Sequence, residues 1–142
     1  MPNIDLSHRS NKKYLSISKH QKNARNRYSK WETIDLELET FNNGDKGSTN
    51  GTIKISWLCQ THLWGFSKNN NGSIKTVGTE KQQFGFFETP RNTVDHWHGY
   101  PIIPFKSEEK KHDICKELLH KWRNDNELTA DEIANLVKGK LL

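Results

Sequence analysis

Eleven of the 142 residues are Trp or Phe, and this restricts the chain's options more than any other feature. Leu, Ile, Val and Phe together reach only about 22% of the residues, barely above the ~20% below which a polar chain stays disordered. Each aromatic ring can bury ~150–250 Å², so a folded state has to be built around these rings. The length leaves room for one core, and no apolar run approaches the ~18 residues of a membrane span. In Phe84-Gly85-Phe86-Phe87, a strand would send Phe84 and Phe86 to one face and Phe87 to the other. One face could receive bases or a partner's apolar surface. The expectation is that the C-terminal helices cover it.

The order of elements follows from periodicity. Ile34, Leu36 and Leu38 alternate with Asp35, Glu37 and Glu39, the pattern of a strand with one wet face. Phe41 to Gly51 is rich in Asn and Gly and reads as a mobile loop, followed by a strand over Thr52 to Leu58 that pairs back as a hairpin. Leu63 to Ser67 and Ser73 to Thr79 flank Asn69-Asn70-Asn71-Gly72, a hairpin signal, and a fifth strand spans Gln82 to Glu88. Pro101 and Pro104 limit Val94 to Phe105 to loop or edge strand. Ser107 is a candidate N-cap for a helix carrying Ile114, Cys115, Leu118, Leu119 and Trp122, and Thr129-Ala-Asp-Glu132 has the spacing of a capping box. Strands followed by helices describe an α+β domain: an antiparallel meander of four or five strands, then two C-terminal helices packed on one face. The expected organisation is a basic N-terminal arm over 1–30 and a single domain over 31–142.

The charge is unevenly spread. Residues 1–30 carry Arg9, Lys12, Lys13, Lys19, Lys22, Arg25, Arg27 and Lys30 against Asp5 alone, a net +7, whereas the remaining 112 residues sum to −2. A basic segment beside a near-neutral body is suited to phosphate, because each neutralised phosphate releases condensed counterions. Tyr14 and Tyr28 lie in the same segment, where they can stack on bases or anchor it to the body. A solvated extension is the competing reading.

The densest cluster of chemical groups is Asp95-His96-Trp97-His98-Gly99-Tyr100. In an extended backbone His96 and His98 share a face, and two imidazoles titrating near neutrality can divide acid and base roles as a ribonuclease-like site requires. Asp95 is poorly placed to orient His96, since neighbours on a strand face opposite ways. His96, His98 and Tyr100 are therefore the candidate catalytic residues for phosphodiester cleavage. A structural plug, with the histidines bonded to backbone, is the plainer reading of the same loop. The two histidines with Cys59 or His62 would also make a metal-binding set. Cys59 and Cys115 otherwise read as buried thiols, His112 and His120 as surface residues.

No phosphate-binding loop, dinucleotide fingerprint or hydrolase elbow is present in the sequence. The reading is a small protein associating with RNA or single-stranded DNA, with a candidate nuclease site and no cofactor. The alternatives are a protein-interaction or regulatory module, binding a partner on the sheet face, and a small metalloprotein. Two cysteines and the lack of a hydrophobic leader point to a cytoplasmic protein with no membrane contact.

Overall fold

Thr33 decides the first long element. The computed structural model describes residues 2–142, and in it the segment expected as a strand is helix α1, Ile34–Lys46. The Thr33 hydroxyl accepts the Leu36 N–H at 3.0 Å, Asp35 and Glu37 sit in the first turn, and Gly47 closes the helix with φ of 77°. Ile34, Leu38 and Phe41 follow helical spacing as well as Ile34, Leu36 and Leu38 follow alternation. Packing chose the longer repeat, because it places Leu38 and Phe41 together in the core. The hairpin expected between this segment and residues 52–58 therefore does not form.

The main sheet is an antiparallel meander of four strands, β3 (Leu58–Cys59), β4 (His62–Gly65), β5 (Phe84–Glu88) and β6 (His98–Ile102), in that order. A separate two-stranded ribbon pairs β1 (Ile4–Asp5) with β2 (Leu15–Ser16). The Asn-Gly turn is present, with the Asn69 N–H bonded to the Ser73 carbonyl at 2.8 Å, although its flanks make only a single bridge, Lys68 to Ile74. Lys116–Asn124 forms α2, capped at Cys115 rather than Ser107, and Ala130–Leu136 forms α3 with the reciprocal Thr129–Glu132 capping box.

Both faces of the sheet are covered. Trp64 and Phe86, opposite each other in the β4–β5 register, pack with Phe84, Leu118, Trp122 and Leu136 beneath α2 and α3. Leu63 and Phe87 form the neighbouring pair and pack on the other face with Leu38 and Phe41 of α1 and with Leu6, Tyr14 and Trp31. Helices thus lie on two faces, not one, and among the described residues the aromatic rings of both sheet faces are covered. At the α1–β4 crossing a Cβ on Gly65 would come within 2.0 Å of the Thr40 carbonyl oxygen, so glycine sets this close approach.

Four further features differ from expectation. The first thirty residues do not stand apart from the body: Leu6, Tyr14, Ser16, His20 and Gln21 are buried, because the apolar and aromatic positions of this segment complete the second core. The loop after α1 is tied down, with the Thr49 N–H and hydroxyl both donating to buried Glu127. Of the segment Thr52 to Leu58 only its end is strand; Ile53 and Ile55 are 74% exposed while Trp57 is buried. Cys59 and Cys115 are joined as a disulfide, Cα atoms 5.7 Å apart, which ties β3 to the start of α2. They are neither free core thiols nor metal ligands.

Candidate functional site

The N-terminal segment runs beside the histidine loop and is stitched to it by backbone. The Trp97 N–H donates to the Lys13 carbonyl at 2.8 Å and the Leu15 N–H to the Trp97 carbonyl at 2.9 Å. This places residues 5–19, from the expected arm, directly against residues 88–98. Two cavities result. One, about 470 Å³, is lined by Glu88, Arg91, Asp95, His96 and His98 together with Leu15 and Ile17. The other, about 490 Å³, is lined by Lys12, Lys13, Arg91, Asp95 and Trp97. They share the turn Thr89-Pro90-Arg91 and Asp95, so they form adjoining parts of one trough.

His96 and His98 thus line one cavity, but their supports differ. The His96 Nε2 lies 3.2 Å from the Asp5 carboxylate, 91 residues away in sequence. Hydrogen bonds from Ser7 to Asp5, with a smaller contribution from His96, hold that carboxyl at about 2, so Asp5 is an anion across the working pH range. Asp95 instead bonds the Asn92 side chain. The His98 ring makes no hydrogen bond among the described residues. Partial desolvation pulls it below the usual histidine range, Glu88 opposing the shift and Lys19 adding to it. That direction favours the neutral imidazole, the form that accepts a proton. Glu88, its partner across the β5–β6 ladder, is paired with Lys111 at 3.2 Å.

Tyr100 does not line the trough. Its ring stacks on His20 at 5.1 Å and its hydroxyl shares a 2.9 Å hydrogen bond with the His112 Nε2. Burial raises the Tyr100 hydroxyl and lowers both His112 and His20. The His20 Nδ1 donates to the Ser29 carbonyl at 2.7 Å, fixing the loop of residues 18–30 against the sheet edge. His112, read from sequence as a surface residue, is buried against Phe86. Nothing in its local sequence marked this, because the burying partner comes from β5.

The eight basic residues of the N-terminal segment separate into groups. Arg9, Lys12 and Lys22 are paired with Asp35, Asp45 and Glu32 of the body. Lys12 nonetheless lines the trough with Lys13. Lys19 and Arg25 line a third recess of about 380 Å³ that has no acidic residue, and Lys19 lies 4.5 Å over the half-exposed ring of Tyr28. Lys30 is spent on the Asn26 and Tyr28 carbonyls, and Arg27 is exposed. Arg91 is the trough cation that reasoning from charge density missed, since it stands alone in a neutral stretch.

Among the described residues no group of three or more His, Cys, Asp or Glu side chains is arranged to hold a metal ion, and no helix is long and apolar enough to cross a membrane. Comparison with protein-family models, curated proteins and solved structures finds no match to this chain.

Proposed function

We propose that the trough binds the sugar-phosphate backbone of a single-stranded nucleic acid. The carrying observation is the shared rim at Arg91, which joins Lys12 and Lys13 on one side to His96 and His98 on the other. Lys19, close enough to His98 to lower its proton affinity, extends the positive surface toward Arg25 and Tyr28. Cations that follow a groove with aromatic rings beside it, here Trp97 and Tyr28, match how unpaired strands are held: phosphates by charge, bases by stacking. Of the acidic groups in the trough, Glu88 is neutralised by Lys111, while Asp95 accepts a hydrogen bond from the Asn92 amide.

The test is fluorescence anisotropy with labelled single-stranded RNA and DNA over a salt series. Deleting residues 1–30 is unsuitable, because it removes Leu6 and Tyr14 from the core. Arg91→Ala and the double variant Lys13→Ala/Lys19→Ala leave the core intact and are the informative variants. Weakened binding with a shallower salt slope supports the reading. Unchanged binding, or none by the full chain at low salt, removes it.

The reading as a protein-interaction module has one observation of its own. Ile53 and Ile55 are exposed next to the edge strand β3, and Leu58 is 46% exposed. Concentration-dependent sedimentation of the full chain against Ile53→Lys/Ile55→Lys checks whether that edge mediates association.

A further inference from the structure

We propose that the trough is a ribonuclease site in which His98 and His96 divide the base and acid roles and the 2′-hydroxyl of the bound strand is the nucleophile. The inference rests on the nucleic-acid reading above and deepens it, from binding to a reaction and from single strands in general to RNA.

The two rings line one cavity with Arg91, so a single phosphodiester seated there meets both imidazoles and a cation. Their hydrogen bonds make them unequal. The His98 ring has no hydrogen-bond partner among the described residues, which leaves a lone pair to accept a proton, and His96 has Nε2 held by the anionic Asp5, which orients the ring. The two carboxylates in the cavity are otherwise engaged, Glu88 with Lys111 and Asp95 with Asn92. The charged and titratable groups facing His98 are Glu88 from β5, Lys19 and His20 from the N-terminal segment, and Arg91, Asp95 and His96 from the adjoining loop.

The step balances without another reagent. His98 takes the proton of the 2′-hydroxyl, the 2′-oxygen bonds to phosphorus, and the bond from phosphorus to the 5′-oxygen breaks. His96 gives its proton to that departing oxygen, and Arg91 offsets the charge on the non-bridging oxygens. The products are a 2′,3′-cyclic phosphate and a 5′-hydroxyl, and the two histidines exchange protons with solvent to reset. An internal nucleophile is what a pair of proton-transfer groups can use directly, and DNA lacks it.

The experiment presents the full chain with an oligoribonucleotide and the same sequence as 2′-deoxy, measuring binding by anisotropy and products by mass spectrometry. Both should bind, and only the RNA should be cut, leaving the cyclic phosphate. His98→Gln and His96→Gln should each slow cleavage by about 10²–10⁴-fold, far more than either weakens binding of the deoxy strand, with the melting temperature nearly unchanged. Asp5→Asn, which changes a positioning residue, should lower kcat about tenfold with KM held. If both strands bind but RNA stays intact, if the deoxy strand is cut equally, or if cutting persists in the double His variant, the reaction is overturned and the binding reading stands. If neither strand binds, both fall.

Discussion

The Tyr14 hydroxyl donates to the Glu37 carboxylate at 2.7 Å, and the Ser16 hydroxyl donates to its other oxygen at 2.7 Å. These bonds fasten the N-terminal segment to α1 through a carboxylate only 1% exposed. The same segment carries Asp5 and lines the trough with Lys12, Lys13 and Leu15, so the anchor at Glu37 underlies the site's geometry.

That carboxyl gives the protein a distinctive pH response. Burial raises Glu37 to about 7 from 4.5, against the opposing pull of its two hydroxyl donors. In the unfolded chain it ionises first, so between pH 4.5 and 7 the folded state binds more protons and stability falls as pH rises. Each pH unit is worth about 1.4 kcal/mol, which makes the whole effect about 3 kcal/mol. Melting curves at pH 5 and pH 8 should show the native protein losing stability with pH and Glu37→Gln losing much less. Parallel behaviour of the two proteins would disprove the assignment.

Gly65 and Gly44 mark where α1 touches β4. A Cβ at Gly65 would meet the Thr40 carbonyl oxygen at 2.0 Å, and one at Gly44 the Trp64 carbonyl oxygen at 2.2 Å. Both obstacles are backbone, so helix and strand would have to separate. Gly65→Ala and Gly44→Ala should each cost about 2–3 kcal/mol and lower the melting temperature by ~5–10 °C. Gly51→Ala, with nothing near the Cβ position but φ of 85°, reports left-handed backbone strain alone and so separates that cost from crowding.

The Cys59–Cys115 bond closes a loop between residues 56 apart in sequence. Reduction, or Cys59→Ser/Cys115→Ser, should cost about 2–4 kcal/mol by releasing chain entropy to the unfolded state. Denaturant midpoints with and without reductant measure it. Since both cysteines lie on the α2 side of the sheet, nucleic-acid binding at the trough should survive in the reduced protein at temperatures where it remains folded.

For the trough, Arg91→Ala should weaken binding of single strands about equally across sequences and reduce the salt slope by about 1, the signature of one lost phosphate contact. A loss confined to particular sequences would indicate base reading by Arg91 instead.

Several elements were readable along the chain because their determinants are local. The Thr129–Glu132 capping box, the Asn-Gly turn and the strand Phe84–Glu88 with its rings divided between two faces all depend on neighbours within a few residues. The α+β class and an antiparallel sheet agree with those short-range signals, whereas the expected order, strands and then helices, is broken by α1 ahead of the sheet. The segment Ile34 to Leu38 was not decidable at that range, since three apolar residues in five fit a strand as well as one turn of helix. The cluster His96 and His98 was visible as a pair, while its partner Asp5 and the cation Arg91 were not.

By itself, the sequence determined the Thr129–Glu132 cap, the Asn-Gly turn, the face assignment of Phe84, Phe86 and Phe87, and the surplus of positive charge before Trp31. Each of these depends on backbone geometry or composition, which any fold must respect. Only the tertiary structure decided that α1 is a helix, that Cys59 meets Cys115, and that Asp5 reaches His96. Those outcomes depend on which distant apolar surfaces bury one another, and a chain with this small a core settles them by packing its aromatic rings on both sides of one sheet.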